Sequence, residues 1–191
     1  LILARALLGL PLLLLRTRSA RAAERQTASS LEGLALRGPD GKSLDVSAVV
    51  RGSRCTAIVF YSATCPCFAA HRERLASLHH DLAPRGVRFL LVDSERHTDG
   101  DAAPAANLDG LPVLRDEGAR LARVLGARYA TETFVFDAGA ALRYRGGIDD
   151  ERKSLGPSPK TYLRDGLQSL LAGTAPPLVT TKSLGCVLRL S

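Results

Sequence analysis

The chain has 191 residues, enough for one domain with its own core, and carries a net charge of +7 with 46% hydrophobic residues and no Trp. Arginine supplies most of the positive charge but is scattered, and no basic cluster is interleaved with aromatic side chains, which argues against a nucleic-acid partner. Four cysteines are too few for a disulfide-scaffolded mini-protein, and Cys55, Cys65 and Cys67 near one another with Cys186 far away suit a reactive pair plus a distant partner.

Residues 1–15 are almost wholly apolar, with one charge at Arg5, and are followed by Arg16, Arg18 and a run of small residues containing Ala20-Arg21-Ala22. This is the pattern of a secretory signal peptide. The sequence contains no Met, so the start is expected to be a fragment. An anchoring helix with Arg16 and Arg18 as its cytoplasmic flank is the alternative reading of residues 1–23. Either reading exports the domain to a periplasmic or other extracytoplasmic space, where disulfides persist. Residues 24–30 read as a polar linker, 31–173 as the folded domain and 174–191 as a Pro-rich flexible tail carrying Cys186.

Within the domain, Leu34-Ala35-Leu36 and Ser43-Leu44-Asp45-Val46 flank a Gly38-Pro39-Asp40-Gly41-Lys42 turn and predict a β-hairpin. Ala57-Ile58-Val59-Phe60-Tyr61 is a continuous apolar run, as expected of a central strand buried on both faces. After Ser62-Ala63-Thr64 the chain reads Cys65-Pro66-Cys67. Proline suits the first position of a helix, so Cys65 is placed at a helix N-cap just beyond a central strand. Free N–H groups and the helix dipole favour thiolate there. Phe68, Leu75, Leu78 and Leu82 repeat near helical spacing, and Pro84-Arg85-Gly86 ends the helix. Residues 87–93 form a second apolar strand, and strand–helix–strand implies a right-handed parallel crossover. A polar loop over 94–107, a short strand at 111–114 and a helix over 118–125 follow. Strands at 133–136 and 141–144 make a second hairpin. Ser158 with Pro159 predicts the start of a last helix, whose stripe is Tyr162, Leu163, Leu167, Leu170 and Leu171 and whose stop is Gly173.

Parallel strands, a hairpin and a closing helix, with a cysteine after the first central strand, resemble the thioredoxin architecture. Residues 59–67 with their helix, 87–93, 127–137 and 143–150 resemble exported bacterial redoxins more closely. These form the alkyl-hydroperoxide-reductase/thiol-specific-antioxidant, or peroxiredoxin-like, branch of the thioredoxin superfamily. The likeness runs from about residue 31 to 188, and Lys182-Ser183-Leu184-Gly185-Cys186 resembles the Gly-Cys ending of one subgroup. Some relatives with that ending continue into copper-dependent monooxygenase-like domains, so a truncated C-terminus is also expected. The resemblance implies an α/β, thioredoxin-like fold with a central mixed sheet flanked by helices and an N-terminal β-hairpin. It puts Cys65 at the family's reactive cysteine and Ser62 at the other site of a Cys-x-x-Cys. Thr131 takes the place of the family's cis-proline, and Ala130, Thr131, Thr64 and Pro66 become the substrate-binding positions. Thr64, adjacent to the cysteine, lacks the spacing of the peroxidase threonine. Asp149 and Asp150 match a family feature of unknown role, where the residues alone read as a solvated turn.

Together these readings make Cys65 the attacking thiolate of a thiol–disulfide oxidoreductase or peroxiredoxin-like antioxidant protein, resolved by Cys67 or Cys186. The substrate is a disulfide-bearing protein or a peroxide, a thiol donor supplies electrons, and no cofactor is expected. Cys55 is expected to be structural. His71 lies four residues after Cys67 on the same helix face, so Cys65, Cys67 and His71 are an alternative copper site in a non-enzymatic copper-handling module. By itself His71 reads as a surface histidine. His79 and His80 read as solvent-facing or rim residues, and His97 carries no signal. A redox-inactive accessory domain is the remaining alternative.

Overall fold

The computed structural model describes residues 30–98, 107–152 and 159–190. The expected signal or anchor segment, nearly all of the linker and the Ser158 cap lie outside the described residues. The first hairpin is β1 (Ala35–Arg37) and β2 (Ser43–Asp45), closed by Gly38 N–H donating to the Lys42 carbonyl at 2.8 Å. The chain then turns straight into a short helix, α1 (Val46–Arg51), where the sequence suggested only a strand end. Asp45 supplies the reason, because its carboxylate accepts from Ala48 N–H at 2.9 Å as an N-cap.

The sheet is built around β3 (Cys55–Tyr61), whose seven residues are all buried. β4 (Val87–Asp93) runs parallel to it in the register Cys55↔Val87 to Tyr61↔Asp93. The connection is the expected crossover, α2 (Pro66–Leu82) with a 3-10 turn at Ala83–Arg85. Next to β4 lies β6 (Leu111–Arg115), again parallel, with the two-residue β5 (Asn107–Leu108) antiparallel on it. A turn at Glu117–Ala119 leads to α3 (Arg120–Leu125), which stops at Gly126, left-handed with φ 65°. On the other side of β3, β7 (Thr133–Asp137) and β8 (Leu142–Gly146) form the second hairpin. The strand order is β2-β1-β6-β4-β3-β7-β8, a mixed sheet with helices packed against it. α4 (Tyr162–Leu171) begins three residues later than Pro159. Thr161 occupies its N-cap, and the Thr161 hydroxyl donates to Asp165 at 2.8 Å instead of capping the backbone.

The core is continuous through the sheet, with Ile58, Phe60, Phe134, Phe136, Tyr144, Leu163 and Leu167 all buried. Each such side chain contributes about 1.5–3 kcal/mol through its removal from water. This rigid centre matters for function because the strands β3 and β4 end side by side, and the loops leaving their carboxyl ends meet there.

The segment after α4 is not the free tail that its composition suggests. It lies beside β8, with Arg145 N–H donating to the Val179 carbonyl and Thr181 N–H to the Arg145 carbonyl, each at 3.0 Å. Further on it pairs antiparallel with residues 128–130, through Ala130 N–H to the Cys186 carbonyl at 2.8 Å and Leu188 N–H to the Arg128 carbonyl at 2.9 Å. Gly185 permits this approach, since a Cβ there would collide with the Ala130 carbonyl. Among the described residues, no helix is long and apolar enough to cross a membrane.

Candidate active site

Cys65 stands where the sequence places it, as the N-cap of α2 with Pro66 in the first turn. Its Sγ accepts from the Phe68 N–H at 3.4 Å, the helical donor that an N-cap side chain normally satisfies. A second donor comes from far along the chain: the Cys186 N–H points at the same sulfur at 3.3 Å. Cys65 is buried, 3% exposed. Burial opposes its ionisation, but hydrogen bonds from the Cys186 side chain and from the N–H groups of Cys186, Phe68 and Cys67 outweigh it and hold the thiol below its ordinary value of 9.0. Cys186 moves the opposite way, to about 11, because it hydrogen-bonds to Cys65, is partly buried and faces negative charge developing on Cys65 and Cys67. The pair is thus polarised, with Cys65 the preferred thiolate and Cys186 its proton-bearing neighbour.

Cys67, one of the two candidate resolving residues, is half-buried in the first turn of α2. The sulfurs of Cys65, Cys67 and Cys186 all lie within 4.8 Å of one another. His71 does not join them. It is buried, 1% exposed, which corrects the surface reading. Its Nδ1 donates to the Cys67 carbonyl at 2.6 Å, and its Nε2 lies 3.2 Å from Asp149 Oδ1. Asp149 is itself buried and accepts from Arg74 at 2.6 Å, so the expected solvated turn at 149 is an interior ion cluster. Burial works against the Asp149 charge, but bonds from His71, the Glu151 N–H and Arg74 prevail and keep its carboxyl below 3.8. The cluster holds the start of α2 by its Cys67 carbonyl.

Ser62, at the other position of a would-be Cys-x-x-Cys, donates its hydroxyl to Glu95 Oε2 at 2.9 Å. Glu95 follows the end of β4 and is buried. Its Oε1 accepts from the Arg189 N–H at 3.2 Å, and Arg96 N–H donates to the Arg189 carbonyl at 2.7 Å. Glu95 therefore ties the loop before Cys65 to the strand that carries Cys186. A second buried acid, Glu132, accepts from the Arg128 N–H at 2.8 Å and from Arg145 Nε at 2.9 Å, and so braces the 128–131 loop from below. Neither glutamate carries a sequence signal, since Glu95 sits between Ser94 and Arg96 and Glu132 between two threonines, and nothing in the spacing marks either as buried.

The expected substrate positions divide. Thr64 and Pro66 are exposed beside Cys65, whereas Ala130 and Thr131 are fully buried. The Ala130 N–H is taken by the tail, and the Thr131 N–H donates to the Phe60 carbonyl at 2.9 Å. Thr131 has φ 70°, a left-handed conformation that is strained for a β-branched residue. No cis peptide bond occurs among the described residues. Elsewhere, His80 is exposed, His79 packs edge-on against Phe89 with ring centroids 5.6 Å apart, and His97 Nε2 lies 2.7 Å from buried Asp93. Cys55 is buried at the far end of β3, and burial pushes it to about 11.

A cysteine capping the helix after the central strand of a mixed sheet defines a thioredoxin-like fold. Over residues 26–145 the chain matches the AhpC/TSA family, and it belongs to that family. Several solved structures are similar. A hypothetical protein of Sinorhizobium meliloti shares 24% identity at a TM-score of 0.70, with 82% of this chain and 90% of that one covered. An uncharacterized conserved protein of Geobacillus kaustophilus shares 27% identity at 0.69, covering 82% and 87%. A secreted Mycobacterium tuberculosis disulfide oxidoreductase shares 12% identity at 0.52, covering 76% and 98%. No curated protein matches the chain.

Proposed function

We propose that the protein is a thiol-dependent oxidoreductase of peroxiredoxin-like character in which Cys65 is the attacking thiolate and Cys186 resolves it. One observation carries the assignment: Cys186 donates to the Cys65 sulfur from its own backbone and holds its thiol within 4.8 Å of it. With a hydroperoxide, the Cys65 thiolate attacks the terminal peroxide oxygen, the O–O bond breaks and the alkoxide leaves, taking a proton to become the alcohol. The resulting sulfenic acid is attacked by the Cys186 sulfur; the S–S bond forms, and hydroxide leaves as water with the Cys186 proton. With a disulfide substrate, Cys65 attacks one sulfur and expels the other as thiolate, and Cys186 then displaces the second half. In both cases an external dithiol returns the Cys65–Cys186 disulfide to two thiols.

Cys186 is preferred over Cys67 as the resolving residue because its backbone N–H already donates to the Cys65 sulfur and it approaches from a separate strand. A Cys65–Cys67 disulfide would have to deform the first turn of α2 to reach its bond geometry. The burial of Cys65 and the occupied Ala130 N–H favour a small substrate, a hydroperoxide or a small disulfide, over an extended protein segment. Export is part of the proposal, supported by the apolar run at 1–15 followed by small residues, and N-terminal sequencing of the mature protein checks it.

The test is dithiol-dependent turnover of hydrogen peroxide and of a small aryl disulfide. Cys65→Ser is expected to lose at least about a thousandfold in both. Cys186→Ser is expected to give a single turnover and then stop at a sulfenic acid or mixed disulfide on Cys65, visible by mass. Unchanged turnover in Cys65→Ser overturns the proposal.

A further inference from the structure

We infer that the reduced protein binds one Cu(I) ion in a three-thiolate site made by Cys65, Cys67 and Cys186. The redox proposal uses only two of the three clustered cysteines, and Cys67 has no part in it. Yet the Cys67 sulfur lies with the other two inside a 4.8 Å triangle. Thiolate–metal bonds of about 2.3 Å in a trigonal plane set the sulfurs about 4 Å apart. The observed triangle meets that requirement with at most small side-chain rotations.

The donor set also selects the metal. Three soft thiolates and no harder ligand suit Cu(I), whereas structural Zn(II) asks for a fourth ligand in a tetrahedron. His71 is the nearest candidate by sequence, but both of its ring nitrogens are engaged, by the Cys67 carbonyl and by Asp149. Glu95 is held by Ser62 and the Arg189 N–H. Among the described residues, the cluster contains no other cysteine, histidine or carboxylate. The ligands come from a helix start and from the 186–188 strand pinned to residues 128–130, so the site is preformed and not gathered from a loose tail. Binding exchanges thiol protons for the metal, with no change in copper oxidation state. A Cys65–Cys186 disulfide removes two of the three ligands, which makes copper and the disulfide alternative occupants of one place.

The experiment is anaerobic titration of the reduced, desalted full chain with Cu(I) in competition with a chromophoric Cu(I) chelator. The expected result is one Cu(I) withdrawn per chain, with three sulfur neighbours at about 2.3 Å by X-ray absorption. Cys67→Ser is expected to weaken binding by at least about a hundredfold, and Cys55→Ala to leave it unchanged. The proposal is overturned if the wild type leaves copper on the chelator, if Cys67→Ser binds as tightly as the wild type, or if Zn(II) displaces Cu(I). This inference stands apart from the redox proposal. Tight binding that depends on Cys67, in a protein that forms no disulfide with peroxide, would sustain the copper site and sink the enzyme. Copper indifferent to Cys67, alongside a Cys65–Cys186 disulfide, would do the reverse.

Discussion

Cys55 and Cys65 mark the two ends of one strand, and the protein treats them in opposite ways. Both are buried, at 1% and 3% exposure. At the start of β3, burial acts on Cys55 with little to counter it and pushes the thiol to about 11. Beyond the end of β3, Cys65 is also desolvated but receives N–H groups from its own helix and from the Cys186 strand, and it falls below 9.0. Burial alone thus disfavours the thiolate, and burial with aimed donors favours it. The difference lies in what faces each sulfur: a helix start and the Cys186 strand at one end, the paired strands of the sheet at the other.

The contrast can be broken by undermining the helix start while leaving Cys55 untouched. Asp149→Ala removes the buried carboxylate that faces His71 and Arg74, and with it the negative charge both sit against. It is expected to cost about 3–5 kcal/mol of stability in chemical denaturation. The pH dependence has a defined sign. Because Asp149 titrates lower in the folded protein than its ordinary 3.8, its contribution is fully present above that value and is lost as pH falls through the lower folded-state value. The variant should lack that part of the acid dependence.

A direct measure of the contrast is alkylation by iodoacetamide under native conditions, followed residue by residue by mass. Burial pushes the Cys55 thiol up to about 11 while the donors around Cys65 hold its thiol below the ordinary value, so Cys65 should hold far more thiolate near neutral pH and react first. The rate at Cys65 should rise with pH through a midpoint lower than that of an ordinary thiol. Equal rates at the two residues would dissolve the distinction. A smaller effect is expected from Gly185→Ala. A Cβ there forces the strand away from Ala130, which withdraws the Cys186 N–H from Cys65. Cys65 alkylation near neutral pH should slow as its thiol climbs back toward its ordinary value. No change in rate would show that the helix donors suffice.

Much of this was legible in the sequence. The apolar run at 57–61, the Pro66 signal and the strand at 87–93 located the parallel crossover and put Cys65 at its mouth, because both-face burial and helix starts leave local marks. What escaped was set by contacts between distant segments. His71 reads as a surface residue on an Arg- and Glu-rich helix until Asp149, far along the chain, is brought against it. Glu95 and Glu132 look like loop charges, and only the packed fold shows them buried and braced. The stretch from Thr174 reads as a Pro-rich tail because its pairing partners, β8 and residues 128–130, follow from topology and not from its own composition. Thr131 shows a different limit: its substitution for proline was visible, but its left-handed backbone was not.

The account stands or falls on which sulfur Cys65 joins. The most direct test is disulfide mapping by mass spectrometry on the reduced full chain after one equivalent of hydrogen peroxide. The expected result is a single Cys65–Cys186 disulfide, with Cys55 and Cys67 still reduced. A Cys65–Cys67 disulfide, or a Cys65 that stays reduced while other thiols oxidise, would contradict it.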